Sequence, residues 1–176
     1  DPAAASLQVD ETTLATDATA NFTSLFSNNT PSYGTDGAGA VTSVYSLGIK
    51  ASAQDSGLVD TATGQKVYLY LESGVVVGRV GAAGVAKADG AISFTVSNDA
   101  GSVTLDQQRA LTHPTNPNNN EATTLSAADL VTLTRTDTIT DKDGDSTSDG
   151  ESINLGNAIS FLDDGPSITV TASADP

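Results

Sequence analysis

Three aspartates at alternate positions, Asp141, Asp143 and Asp145, stand in the run Asp-Lys-Asp-Gly-Asp between two strand-like segments. Calcium is a hard cation that takes six to eight oxygen ligands, chiefly carboxylates and carbonyls. A bend at Gly144, where glycine turns at little steric cost, gathers such carboxylates on one side. Asp149 and Glu151 follow closely enough in sequence to complete a coordination shell. The spacing matches the opening of an EF-hand loop. Glycine is the fourth residue of this run rather than the sixth, however, and no helical pattern flanks it, so an EF-hand is excluded. The competing reading is an Asp-Gly hairpin turn with its remaining acids solvated, at the cost of repulsion among uncompensated carboxylates.

A second acidic cluster, Asp163-Asp164-Gly165-Pro166, has a counterpart near the other end in Asp10-Glu11. If the first and last strands of a sandwich finish at opposite poles, these acids face a neighbouring module across a linker. Ca2+ held by Asp163, Asp164, Asp10 and Glu11 would then stiffen a junction that a flexible chain leaves loose. The plain alternative is a type I or II turn. The single histidine, His113, precedes Pro114 in a polar stretch and has no partner at metal-binding or catalytic spacing. It is expected to be an exposed loop side chain. No Gly-x-Ser-x-Gly elbow occurs. Gly78-Arg79-Val80-Gly81 lacks the lysine and helix of a phosphate loop. With no nucleophile or acid–base arrangement, the expectation is that the protein is not an enzyme.

These residues lie in a chain of 176 residues, most simply one domain with a core of its own. Its 22 acidic against 7 basic residues give a net charge of −15. That balance repels nucleic acid and anionic membranes and attracts cations. The absence of cysteine removes disulfides, thiolate metal sites and thiol nucleophiles together. No apolar run approaches the ~20 residues of a membrane helix, and no signal-peptide pattern opens the chain. It starts within an extended-looking segment and reads as a piece of something longer.

The elements that must position the acids read as strands throughout. Leu7-Gln8-Val9 and Val41 to Ile49 have strand character. Lys66 to Leu71 pairs with Val75 to Val77 across Glu72-Ser73-Gly74, and Ala91 to Ser97 pairs with Val103 to Leu105 across Asn98 to Gly101. Period-two alternation in both hairpins means one face buried and one solvated, the signature of an antiparallel sandwich. Ser27 to Ala40, Gln54 to Gly64 and His113 to Glu121 are loops by composition. Leu125 to Leu130 suits one helical turn. Val131 to Thr140 is a long strand with Ser152 to Phe161 returning as its partner, and Ser167 to Ala172 is a final strand. The fold class is all-β. No strong internal repeat appears, although Asp1-Pro2 recurs as Asp175-Pro176, as overlapping ends cut from a tandem array would.

Taken together, Asp141 to Asp145, Asn154 to Phe161 and Asp163 to Ser167 resemble the long tandem repeats of giant RTX-type bacterial adhesins exported by type I secretion. Val9 to Leu14, Asp60 to Gly64, Leu71 to Val80 and Leu105 to Leu111 are similar to the start and middle of such repeats. The resemblance implies an immunoglobulin-like antiparallel β-sandwich with long loops, residues 1–166 forming one repeat and 167–176 the linker and first strand of the next. It implies an extracellular, cell-surface extender that calcium folds and stiffens and that projects a ligand-binding tip in adhesion and biofilm formation. Its partners are then calcium ions and neighbouring repeats, with no nucleic acid, no membrane insertion and a monomeric isolated fragment. Carried over by residue, the family's acidic hairpin maps onto Asp141, Asp143 and Asp145. Its inter-repeat linker maps onto Asp163 and Asp164, with Asp10 and Glu11 in the adjoining copy. The alternative is a ligand-binding module, recognising carbohydrate or another surface through loops 27–40 and 113–121. Against that stand the absence of Trp and the presence of only 4 Tyr, since exposed aromatic faces are the usual sugar platforms.

Overall fold

A computed structural model describes residues 5–27, 31–114, 120–166 and 168–171. Among these residues the structure is all-β, as the alternation requires. Strands β4 (Gln54–Val59), β5 (Lys66–Glu72), β6 (Val75–Val80), β7 (Ile92–Asp99) and β8 (Ser102–Gln107) follow one another as a meander, with β2 (Ala18–Asn21) added beyond β8. The two expected hairpins are both present. Each closes through two residues of positive φ, Ser73 (50°) with Gly74 (85°) and Ala100 (49°) with Gly101 (88°). Turns of that hand match the twist of the strands they join.

The opposing layer holds two smaller sheets. One is β11 (Ser146–Asn154), β10 (Val131–Asp141) and β3 (Ala38–Ile49); the other is β1 (Leu7–Asp10), β12 (Ile159–Leu162) and β9 (Ala122–Thr124). Strand β3 crosses over β5, β6 and β7, and β1 lies against β2 and β8. The core between the layers is aliphatic with a few rings: Leu7, Val9, Leu69, Val96, Leu105, Leu133 and Ile159 surround Phe94 and Phe161, whose centroids are 5.2 Å apart. It underlies only one end of the β3–β10–β11 ribbon. Leu47, Val131 and Leu133 are buried, whereas Val41 to Val44 and Ser146 to Ser152 are exposed without alternation. The far half of the ribbon therefore presents both faces to solvent.

Several expectations need correction. Gln54 to Val59 is a strand, not a connector: Ser56 is buried and donates to Val67 O, and the ladder shifts register around Gly57 (φ 84°). The partner of β10 is Ser146–Asn154; Ile159–Leu162 leaves it to pair with β1. Strand β3 begins at Ala38 rather than Val41. The helical turn expected in 125–130 is a single 3₁₀ turn at Ala128–Leu130. Ile168 to Thr171 form no strand, and Ile168 and Val170 are exposed; Ser167, Ala172 and the two Asp-Pro dipeptides lie outside the described residues. The poles are also reversed. Strands β1 and β12 run parallel, Leu7 opposite Ile159 and Asp10 opposite Leu162, so they finish side by side at one pole.

Candidate functional site

Two groups of metal-ligating side chains follow from this architecture, at different ends of the opposing layer. The first crowns the ribbon. Strand β10 pairs with β3 down to Asp141 opposite Ala38, after a bulge in which the register slips between Thr140 and Asp141. Gly39 sits in that bulge, where a Cβ would stand 2.4 Å from Thr140 O and 2.6 Å from Asp141 O. The slip carries Asp36, two residues before β3, to the hairpin tip. Carboxylate oxygens of Asp36, Asp141 and Asp143 lie within 4.8 Å of one another.

The turn itself is held from Asp141. Its Oδ1 accepts from Gly144 N at 3.0 Å and Asp145 N at 2.9 Å, and its own N–H donates to Asp145 O at 3.0 Å. Gly144 has φ 103°, the conformation that favours glycine. A hydrogen bond with the Asp143 carboxyl, helped by the backbone N–H bonds and opposed by desolvation, holds Asp141 below the usual carboxylate range. Two carboxyls close enough to share a proton are close enough to share a cation, and three hard oxygen donors from two segments fit calcium chemistry. Lys142 lies over Gly37 beside the cluster, its Nζ 3.7 Å from where a Cβ on Gly37 would be, and supplies a competing positive charge.

Of the three alternate aspartates, Asp141 and Asp143 share one group. Asp145 is not in that group; with Asp141, Ser32, Tyr33, Ile139, Ser146 and Thr147 it lines a shallow depression of about 160 Å³. Asp149 and Glu151 are not at the tip either. They stand opposite Asp137 and Arg135 down the ladder and line a cleft of about 340 Å³ that includes Phe26. There Arg135 Nε donates to Asp137 Oδ1 at 2.8 Å, so the cleft's cation is already paired. Asp36 was missed because the glycine-rich stretch around it carries no pattern.

The second group lies at the pole where β1 and β12 end. Oxygens of Glu11 and Asp163 and a ring nitrogen of His113 lie within 4.8 Å of one another. This corrects two expectations. Glu11 and Asp163, expected on either side of a junction between copies, come together within one copy, because their strands are parallel neighbours. His113 is not exposed: its side chain and that of Glu11 are each 3% accessible, and Nε2 lies 3.1 Å from Glu11 Oε1. Glu11 Oε1 also accepts from Gln107 Nε2 at 2.8 Å and Leu111 N at 2.7 Å. Asp10 instead caps the 3₁₀ turn Glu11–Thr13, accepting from Thr12 N at 2.8 Å, and the Thr12 hydrogen bonds hold it below the usual carboxylate range. Asp164 is exposed.

A signal for this group was present in the sequence. Leu7 and Val9 face the core, and Glu11 takes the next inward position. Ile159 and Phe161 are followed in the same way by Asp163, and Val103 and Leu105 by Gln107. Three inward alternations each close on a polar residue, which marks a polar end to the core. Read as separate strands, the three endings have no evident connection.

Comparison with curated proteins and with solved structures finds no match. A family model matches residues 6–156, a stretch containing Asp36, Asp141 and Asp143 and, of the second group, Glu11 and His113. Over that span the chain belongs to the family described as Domain of unknown function (DUF5801).

Proposed function

We propose that the protein is a calcium-stabilised structural repeat of a large bacterial surface adhesin, with an immunoglobulin-like sandwich acting as an extender between the cell and a ligand-binding tip. The observation that carries this reading is the gathering of Asp36, Asp141 and Asp143 at the end of a ribbon whose far half has little core beneath it. A cation there ties the loop before β3 to the β10–β11 turn and stiffens a segment that burial does not hold. The parallel pairing of β1 and β12 adds support, because a chain entering along β1 and leaving along β12 passes from one pole to the other. Head-to-tail extension needs that direction of travel. The sequence resemblance to RTX-type adhesin repeats supplies the secreted, cell-surface setting, and the −15 charge suits a calcium-rich medium. The role is mechanical rather than catalytic.

Thermal unfolding with calcium, with equal magnesium and with chelator, at fixed ionic strength, tests the reading. Extracellular calcium modules have Kd of roughly 10⁻⁴ to 10⁻³ M. At a hundred-fold excess over Kd one site adds about 2.7 kcal/mol, a rise of roughly 5–10 °C for a domain of this size. Calcium should produce that rise and magnesium should not. Superimposed curves in calcium and chelator would remove calcium from the proposal.

A further inference from the structure

We infer that Glu11, His113 and Asp163 form a second metal site, built for a divalent ion of zinc's class rather than for calcium. Three lines of observation converge on it. The first is charge. Two carboxylates and an imidazole lie within 4.8 Å of one another at the end of the core, with Glu11 and His113 side chains 97% buried by their 3% accessibility. Arg109, the nearest basic residue along the chain, is committed to Asp60. A buried carboxylate, Glu11, with a partly buried one, Asp163, beside it requires compensation, and a dication supplies it.

The second is donor type. Calcium takes oxygen, whereas imidazole nitrogen beside carboxylate oxygen selects zinc and its neighbours in the first transition row. With ligand bonds of about 2.1 Å, two donors on one zinc ion stand ~3.0–3.5 Å apart. The separation of His113 Nε2 from Glu11 Oε1 is 3.1 Å. Gln107 Nε2 and Leu111 N both donate to Glu11, the kind of outer contact that orients a ligand carboxylate.

The third is unfinished hydrogen bonding at the same place. Among the described residues His113 Nδ1 and Gln107 Oε1 are buried with no partner, and both belong to side chains that touch Glu11. Nε2 is the nitrogen turned toward Glu11, so an ion there takes the Nε2 lone pair and leaves the ring proton on Nδ1.

Because His113 is the chain's single histidine, its ring resonances report on the site without ambiguity. The test is a long-range ¹H–¹⁵N NMR titration of untagged, chelator-treated protein with Zn2+, and separately with Ca2+. One equivalent of zinc should move one ring nitrogen into the metal-bound range, while calcium leaves both nitrogens in place. Calorimetry should give zinc binding at 1:1 that Asp163→Asn weakens at least ten-fold and Asp143→Asn leaves unchanged. Ring resonances indifferent to zinc, or zinc affinity untouched by Asp163→Asn, would overturn the site. Equal movement with calcium would overturn the metal class. Each of these outcomes is independent of the calcium-dependent melting shift, which reports on the ribbon tip.

Discussion

Asp60 and Arg109, 49 positions apart, meet through two hydrogen bonds: Arg109 Nε donates to Asp60 Oδ1 at 2.7 Å and Nη2 donates to Oδ2 at 3.2 Å. Asp60 is fully buried, and Thr63 adds its backbone N–H and its hydroxyl to Oδ2. The pair closes the edge of the six-stranded sheet onto the segment leading to His113, beside the Asp60–Leu111 bridge. Arg109→Ala strands a buried carboxylate, a loss that reaches 3–5 kcal/mol where both partners are buried. The guanidinium here is 31% exposed, so the expected cost in urea unfolding at pH 7 is about 3 kcal/mol.

The same pair predicts a pH dependence of definite sign. Burial pushes Asp60 upward, but hydrogen bonds from Arg109 and Thr63 and the guanidinium charge overcome it and hold the carboxyl below its usual 3.8. A carboxyl depressed in the folded state stabilises above its unfolded pKa and loses that contribution as pH falls through the folded value. Wild-type stability from this pair should therefore be flat from pH 8 to 5 and decline below about pH 4. In Arg109→Ala only burial and Thr63 remain, and the carboxyl shifts upward. The gap between variant and wild type should narrow as pH is lowered from 7 to 4, and a constant gap would exclude the mechanism.

At the ribbon tip, the geometry separates acids that the sequence treats alike. Asp36→Asn and Asp143→Asn each remove a member of the carboxylate group and should each reduce the calcium-dependent rise in unfolding temperature by half or more. Asp145→Asn leaves the group intact and keeps the backbone bonds to Asp141, so it should retain most of the rise. If Asp145→Asn were the most damaging of the three, the ion would sit on the other side of the turn.

How far the sequence revealed all this depended on whether a pattern was local and one-sided. The β5–β6 and β7–β8 hairpins were legible because alternation and turn residues agreed over a short span. The start of strand β11 is not legible because Ser146 to Glu151 is polar on both faces, and a strand with no buried face leaves no period-two signal. Strand β4 was lost because Gln-Asp-Ser-Gly has turn composition, although Ser56 is buried on the sheet through its bond to Val67 O. The pairing of β12 with β1 joins residues 152 positions apart, as in Leu7 with Ile159, and no local rule reaches that far. The burial of His113 has no local signal for the same reason: Glu11 and Asp163 lie at the ends of distant strands.

Gly78 should tolerate no side chain. A Cβ there would stand 2.3 Å from Phe94 Cε1, and Phe94 is fully buried with Phe161 behind it. Gly78→Ala must displace a ring that has nowhere to go, at an expected cost of about 1–3 kcal/mol in chemical unfolding. Adding Phe94→Leu to Gly78→Ala should recover part of that loss, because the smaller side chain leaves room for the methyl. Additive losses in the double variant would place the cost elsewhere.

The family match ends at residue 156, yet the fold does not close there. Ile159 and Phe161 of β12 are both fully buried, worth roughly 1.5–3 kcal/mol each in transfer free energy alone. Among the described residues strand β1 has β12 as its only neighbour in its sheet, so loss of β12 also uncovers Leu7 and Val9. Phe94 would lose the ring packed against it. The sum exceeds about 5 kcal/mol, comparable with the whole stability of an ordinary domain. A chain truncated after Gly156 should therefore lose its cooperative unfolding transition and its dispersed methyl and amide NMR signals. One ending at Pro166, which keeps β12 and Asp163, should retain both. A cooperative transition in the shorter chain would show that β12 is an appendage rather than part of the core.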